Sequence, residues 1–288
     1  MNNTWSSRIQ GIRTLWYSRA LRFSDVYKEQ FMRAFSLPTS PSILDIGCGP
    51  GSLCRSLKRW YPEADVFGID PDSVFIEYAK ANVPDADFRE GDATALAFPD
   101  ASFDVTISNT VAEHIEPEKF FGEQYRVLKD SGICLVLSTR KSIMQTAPCV
   151  NELTDFEQEI WRRAEEYTSD EDLDVCRYPM SEAEYPAVME KHGFKNVKTD
   201  YVTINLTPDD PRNSRETALE IINEARYTSL DAIEMLRESC GGKISEDEIN
   251  EMLRLANARF DRRIELYDAG EKQWDTNIIV IMVIRGIK

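Results

Sequence analysis

An α/β fold with a doubly wound, mostly parallel seven-stranded sheet is what this sequence predicts. Three observations carry that expectation. Short apolar runs alternate with amphipathic stretches from residue 42 to residue 138, the pattern of a parallel sheet wound with helices. A glycine-rich run, ILDIGCGPGSL at 43 to 53, follows the first apolar run. Two further strand patterns lie near the end of the 288 residues, far apart in the chain.

The elements follow in order. Residues 4 to 35 are helical in pattern and rich in aromatics, with Trp16, Tyr17, Phe23, Tyr27 and Phe31. The strand runs are Ser42 to Gly47, Asp65 to Asp70, Asp87 to Gly91, Phe103 to Asn109 and Ile133 to Thr139. Between them Gly51 to Trp60, Ser73 to Val83 and Pro117 to Lys129 carry apolar residues at helical spacing. The sixth strand is expected near Val197 to Leu206 and the seventh at Asn277 to Arg285, 71 positions later. That gap holds two helices. Asn213 with Glu216 and Ser245 with Glu248 have capping-box spacing, and apolar residues recur from Leu219 to Leu236 and from Ile249 to Tyr267. An antiparallel helix pair between the last two strands is the result.

In an open parallel sheet, ligands bind beyond the carboxyl ends of the strands. Gly47, Gly49 and Gly51 sit there, where a bare backbone and a following helix N-terminus favour an anion. The dinucleotide fingerprint G-x-G-x-x-G fails, because Ser52 stands at its third glycine. Asp45 lies two residues before the first glycine. A carboxylate there is a poor neighbour for pyrophosphate and a good one for an ammonium group, so the ligand should carry both an anion and a cation.

S-adenosylmethionine fits that description, and the sequence resembles the class I S-adenosylmethionine-dependent methyltransferases, in particular the small-molecule, type 11 group that includes the ubiquinone-biosynthesis type. The resembling segments are ILDIGCGPG at 43 to 51, GIDPD at 68 to 72, EGDATALAFPDASFD at 90 to 104, ISNTVAEHI at 107 to 115 and LKDSGICLVLS at 128 to 138. They cover about a third of the chain. The resemblance implies Asp45, Gly47, Cys48, Gly49 and Gly51 around the amino-acid end of the cofactor, Asp70 and Pro71 at the ribose, Asp92 and Ala93 at the adenine, and Asn109 near the reaction centre. An N-terminal helical segment often folds over the cofactor in such proteins, which makes Tyr17 and Arg19 candidate contacts. Ile69, Thr94 and Leu96 are further candidates for the adenine walls. The resulting division is a helical lid at 1–39, a methyltransferase core at 40–211, a helical insertion at 212–272 and a final core strand at 273–288.

The sulfonium methyl is already activated, so the protein must align an acceptor, exclude water and, where needed, remove a proton. His114 is one of two histidines and the catalytic candidate; it serves as base or substrate contact, or else caps and packs the following helix. His192 reads as a helix C-cap. No metal is expected. Cys48 reads as a packing residue, since no base stands beside it in sequence.

The resemblance implies a small-molecule methyl acceptor as partner, and composition argues against nucleic acid and membrane. A net charge of -16 repels nucleic acid and anionic membrane surfaces. The six cysteines form no CxxC pair, no signal segment opens the chain, and the longest apolar run is too short for a bilayer, so a soluble, reduced, cytoplasmic protein is expected. Residues 151–174 hold ten acids against two arginines, half of the net charge, and read as a solvated helix face rather than a guide for a cationic substrate. The insertion serves packing or a homodimer contact, or, in the sharper reading, covers the acceptor pocket from the ligand side of the sheet. Two rival functions remain: a cofactor-binding regulatory protein without turnover, and a nicotinamide-dependent dehydrogenase.

Overall fold

The computed structural model describes residues 4–167 and 175–288. The N-terminal segment forms α1 (Thr4–Arg8), α2 (Ile12–Arg22) and, after a 3₁₀ turn, α3 (Lys28–Phe35). The winding then runs β1 (Ser42–Ile46), α4 (Ser52–Trp60), β2 (Asp65–Asp70), α5 (Ser73–Asn82), β3 (Asp87–Glu90), β4 (Phe103–Asn109), α6 (Pro117–Val127) and β5 (Leu128–Gln145). After α7 (Pro148–Asn151), α8 (Asp155–Glu165) and α9 (Glu184–Lys191) come β6 (Lys195–Leu206), α10 (Arg215–Ser239), α11 (Glu246–Asp268) and β7 (Thr276–Ile287).

The seven strands are ordered β3-β2-β1-β4-β5-β7-β6. β1 to β5 are mutually parallel where they pair, and β7 runs antiparallel to both of its neighbours. β6 therefore points the same way as β1, as a helical crossover through α9 requires. Each face of the sheet is covered. Phe31, Phe35 and Trp60 pack with Ile43, Val105 and Leu135 on one side, while Phe120, Phe121 and Tyr185 pack with Leu44, Ile46 and Val136 on the other. The alternation within β1 and β5 produces this split, because successive side chains leave opposite faces.

Three expectations change. β5 extends to Gln145, well beyond Thr139, because β7 supplies ladder partners as far as Thr276 even though Ile143 and Met144 are exposed; a burial pattern cannot reveal a strand end held by backbone pairing alone. The first insertion helix is capped by Ser214, whose side chain accepts from Thr217 N, while Asn213 donates its side-chain N–H to Thr207 O. The Ser245–Glu248 capping box forms as expected.

The acidic stretch is the third difference, and its residues 168–174 lie outside the described ones. α8 has the expected solvated face, with Asp155, Glu159 and Glu165 exposed, but its opposite face is buried. Ile160 and Ala164 join Leu230, Ile233, Met252 and Ala256 in a separate apolar cluster, and buried Glu157 accepts two hydrogen bonds from Arg259 at 2.6 and 2.7 Å. α8 thus packs on the α10–α11 pair. Among the described residues no helix is long and apolar enough to cross a membrane, and no group of His, Cys, Asp and Glu could hold a metal ion.

Candidate active site

A cavity of about 270 Å³ opens at the carboxyl ends of β1, β2 and β4. The chain leaves β1 at Asp45 and Ile46 and doubles back over β2, where Gly47 N and Cys48 N both donate to Ile69 O at 2.8 and 2.9 Å. Gly47 has φ +71°, and a Cβ there would come within 2.5 Å of a Val111 methyl, so only glycine fits. Gly49 N donates to Asp70 Oδ2 at 2.9 Å, and Asp72 N donates to Asp70 Oδ1 at the same distance. Asp70 therefore pins the glycine loop to the start of α5. Burial raises its pKa to about 6 despite those two bonds.

Asp45 is 1% exposed and accepts only from the Cys54 thiol, at 3.2 Å, among the described residues. Burial pushes its pKa up to about 7, with the nearby Asp70 charge adding to the effect. Burial also pushes the Cys48 thiol well up, which keeps it protonated and inert. Pro71, Asp92, Ala93 and Asn109 line the same cavity. Asp92 stands two residues past β3 and uses Oδ1 to accept from Thr94 N and Oγ1 at 2.7 and 2.8 Å, an Asx turn that fixes the loop. Asn109 ends β4, and Thr110 beyond it is held at φ +54° with its N–H on Leu137 O.

The roof comes from the N-terminal segment. Trp5, Gln10, Leu15 and Arg19 reach the cavity. Arg19 is open to the cavity and otherwise enclosed; its guanidinium donates to Ser18 Oγ and, at 3.4 Å, to Thr110 Oγ1, and no carboxylate pairs with it among the described residues. Burial lowers its pKa to about 9. His114, in the 3₁₀ turn Ala112–His114, lines the far wall with Val111 and Ile115. Its Nδ1 accepts from Cys176 N at 2.9 Å, and the Trp5 ring meets it edge-on at 4.8 Å. His192 caps α9, with Nδ1 on Val188 O and Nε2 on Glu118.

Two expected contacts are elsewhere. Tyr17 leaves the opposite side of α2 and stacks on Tyr227 of α10 at 4.4 Å, since helical positions two apart, such as 17 and 19, face about 200° apart. Gly51 caps α4 at φ +90° and packs its backbone against Ala79 and the Phe88 ring, 3.1 Å from where a Cβ would sit. It shapes the turn without lining the cavity. Of the proposed adenine walls, Ile69 and Ala93 line it and Thr94 and Leu96 do not. Trp5, Gln10 and Thr110 were not singled out by the sequence; only their neighbourhood, the aromatic N-terminal segment and the 107–115 run, pointed to them.

The insertion emerges at the ligand end of the sheet, but no residue from 212 to 270 lines the cavity. It holds the roof instead. α2 has no cap of its own, and Asp231 of α10 accepts from Thr14 N and Thr14 Oγ1 at 2.8 Å and from Arg13 Nε at 2.6 Å. Asp231→Ala should cost about 1–2 kcal/mol, the usual loss for an N-cap. Denaturant midpoints and faster amide exchange across residues 12–18 would check it; unchanged exchange there would remove the capping role.

Residues 44–136 match the family model described as "Methyltransferase domain". The demethylmenaquinone methyltransferase of Thermus thermophilus is 42% identical over 100 residues, 33% of this chain and 46% of that protein. The ubiquinone biosynthesis O-methyltransferase of Brucella anthropi is 33% identical over 106 residues, 35% of this chain and 42% of that protein. The chain thus spans under half the length of these curated relatives. A phosphoethanolamine N-methyltransferase 2 of Haemonchus contortus, solved with S-adenosylmethionine, shares the fold with TM-score 0.52 at 18% identity, covering 100% of this chain and 60% of that one. Residues 44–136 thus match a methyltransferase domain, and the seven-stranded sheet has the fold of the solved methyltransferase.

Proposed function

We propose that the protein is an S-adenosylmethionine-dependent methyltransferase acting on an oxygen, nitrogen or carbon of a small molecule. One observation carries this reading: Asp45 and Arg19 face one cavity and neither has a hydrogen-bonded ion partner among the described residues, Glu224 and Glu113 acting on Arg19 only through space. Burying a charge without a bonded counter-ion is costly, and an amino-acid zwitterion supplies one to each. The residues present therefore fit S-adenosylmethionine.

In this reading Arg19 takes the carboxylate of the ligand and Asp45 takes its ammonium group. Asp70 accepts from the ribose hydroxyls with the lone pairs left after binding Gly49 N and Asp72 N. Asp92 Oδ2 and Ala93 N face the adenine edge, against Ile69. The bound group supplies an activated methyl. The chain supplies alignment, with Asn109 and Thr110 at the reaction centre, and dryness, with Trp5 and Leu15 as cover. Residues 1–39 act as the lid, and the insertion as its brace. The two curated relatives, a demethylmenaquinone methyltransferase and a ubiquinone biosynthesis O-methyltransferase, support a small acceptor.

Calorimetry with S-adenosylmethionine, S-adenosylhomocysteine and NADH tests the assignment. Micromolar binding of the first two is expected; binding of NADH alone would point to a dehydrogenase, and cofactor binding without turnover on a broad acceptor panel would point to a regulatory role. The pH dependence is a further prediction. Asp45 titrates near 7 in the free protein, and only its ionised form attracts an ammonium group. Affinity should therefore rise about five- to tenfold between about pH 6 and about pH 7.5, with proton release on binding. Stability of the free protein runs the other way: a carboxyl with a raised folded pKa loses stability as pH climbs from the ordinary carboxyl range through about 7. Flat affinity across that window would remove Asp45 from the ammonium site.

A further inference from the structure

His114 lines the cavity, and its ring nitrogen left without a partner among the described residues carries a proton and no lone pair. A neutral imidazole has one N–H and one acceptor nitrogen. Nδ1 accepts the Cys176 N–H at 2.9 Å, which places the proton on Nε2, and Nε2 has no hydrogen-bond partner among the described residues. The same loop is held a second time, by Tyr178 N donating to Glu113 O at 2.9 Å. Burial lowers the His114 pKa and favours the neutral ring. For Nε2 to act as a base, the proton would have to sit on Nδ1, where it would face the Cys176 N–H head-on.

No other group at this end of the cavity replaces it. Trp5 offers an indole donor, Gln10 an amide, and Thr110 gives its hydroxyl proton to Asn109 O at 2.7 Å. Glu113, the adjacent carboxylate, faces the Tyr185 hydroxyl and does not line the cavity. Asp45, Asp70 and Asp92 belong to the cofactor end in the reading above, on which this inference rests.

We propose that the methyl acceptor is a carboxylate on an apolar body, held by the His114 Nε2–H. One carboxylate oxygen attacks the methyl while the other accepts from Nε2, and Trp5, Val111 and Ile115 take the apolar part. The O–CH₃ bond forms as the S–CH₃ bond breaks, with the electron pair left on sulfur. Anion and sulfonium become neutral ester and neutral thioether, and no proton is released for a base to take. An alcohol or phenol would need one removed, and an ammonium group would meet Nε2–H donor to donor. The net charge of -16 does not forbid an anion here, because salt screens distant charges beyond about 8 Å.

The protein has two histidines, so ¹⁵N-histidine NMR of the S-adenosylhomocysteine complex reads His114 directly, with His114→Gln for assignment. A protonated Nε2 and a bare Nδ1 are expected. In turnover, straight-chain carboxylates from acetate to palmitate are compared with octanol and octylamine, following ester and S-adenosylhomocysteine. Ester formation should survive His114→Gln, whose amide can donate, within about tenfold. It should fall about 10- to 100-fold in kcat/KM in His114→Phe, the loss of one hydrogen bond to a charged group. A lone pair on Nε2, or methylation of octanol or octylamine but of no carboxylate, would overturn the proposal. So would intact S-adenosylhomocysteine binding with no ester from any member of the series. Absent S-adenosylhomocysteine binding would instead remove the methyltransferase reading beneath it.

Discussion

Asp70→Ala weakens S-adenosylmethionine by about 2 to 4 kcal/mol, the value of two charge-assisted hydrogen bonds at about 1.5 to 3 kcal/mol each with incomplete additivity. The geometry adds a reason for the upper half of that range. Both carboxylate oxygens already hold backbone, Gly49 N on one and Asp72 N on the other, so truncation also frees the glycine loop that forms the cavity floor. Asp70→Asn separates the two contributions, because an amide oxygen can keep one backbone bond while the charge is lost; its affinity should fall between those of wild type and alanine variant. Calorimetry on variants with native circular dichroism decides. An alanine variant that is folded and binds within error of wild type would end the ribose assignment.

Arg263→Ala destabilises the fold by about 3–5 kcal/mol, the cost of leaving a buried charge without its partner. Arg263 is fully buried in α11, where Nη2 donates to Asp209 at 2.9 Å and to Asp275 at 2.6 Å. Asp209 also accepts from Gln273 N and Trp274 N at 2.8 and 2.9 Å. One arginine thereby fastens the end of α11 to the chain entering α10 and the chain entering β7, and so closes the base of the insertion. Urea denaturation measures the loss. Pairing Arg263→Met with Asp209→Asn should recover part of it, since the carboxylate left behind then carries no charge. If the double variant is no more stable than Arg263→Met, the charge on Asp209 is not the source of the cost.

The core was legible for local reasons. Strand runs such as Ser42–Ile46 and Phe103–Asn109 are short apolar segments with punctuation at both ends, and the places of Asp45, Asp70 and Asn109 follow once the strand ends are known. Gly47 was legible as a turn, but the Val111 methyl that requires glycine there lies 64 positions away and was not. One acid of the 151–174 stretch departs from the solvated reading for a related reason: Glu157 resembles its exposed neighbours until Arg259, 102 positions on, is seen against it.

The sequence by itself determined the order of strands and helices, the glycine loop, the acids at the strand ends and the presence of a capped helix pair between β6 and β7. Each is written in residues that are close in the chain, where backbone preference, apolar period and capping act. Tertiary structure alone decided that Arg19 faces the cavity while Tyr17 turns to Tyr227, that the insertion grips α2 through Asp231 instead of lining the cavity, and that His114 gives its lone pair to Cys176. Those outcomes depend on partners such as Asp231 and Thr14, 217 positions apart. Which face of a helix is buried, and which nitrogen of an imidazole keeps its proton, is set by the group packed against it and not by the residues on either side.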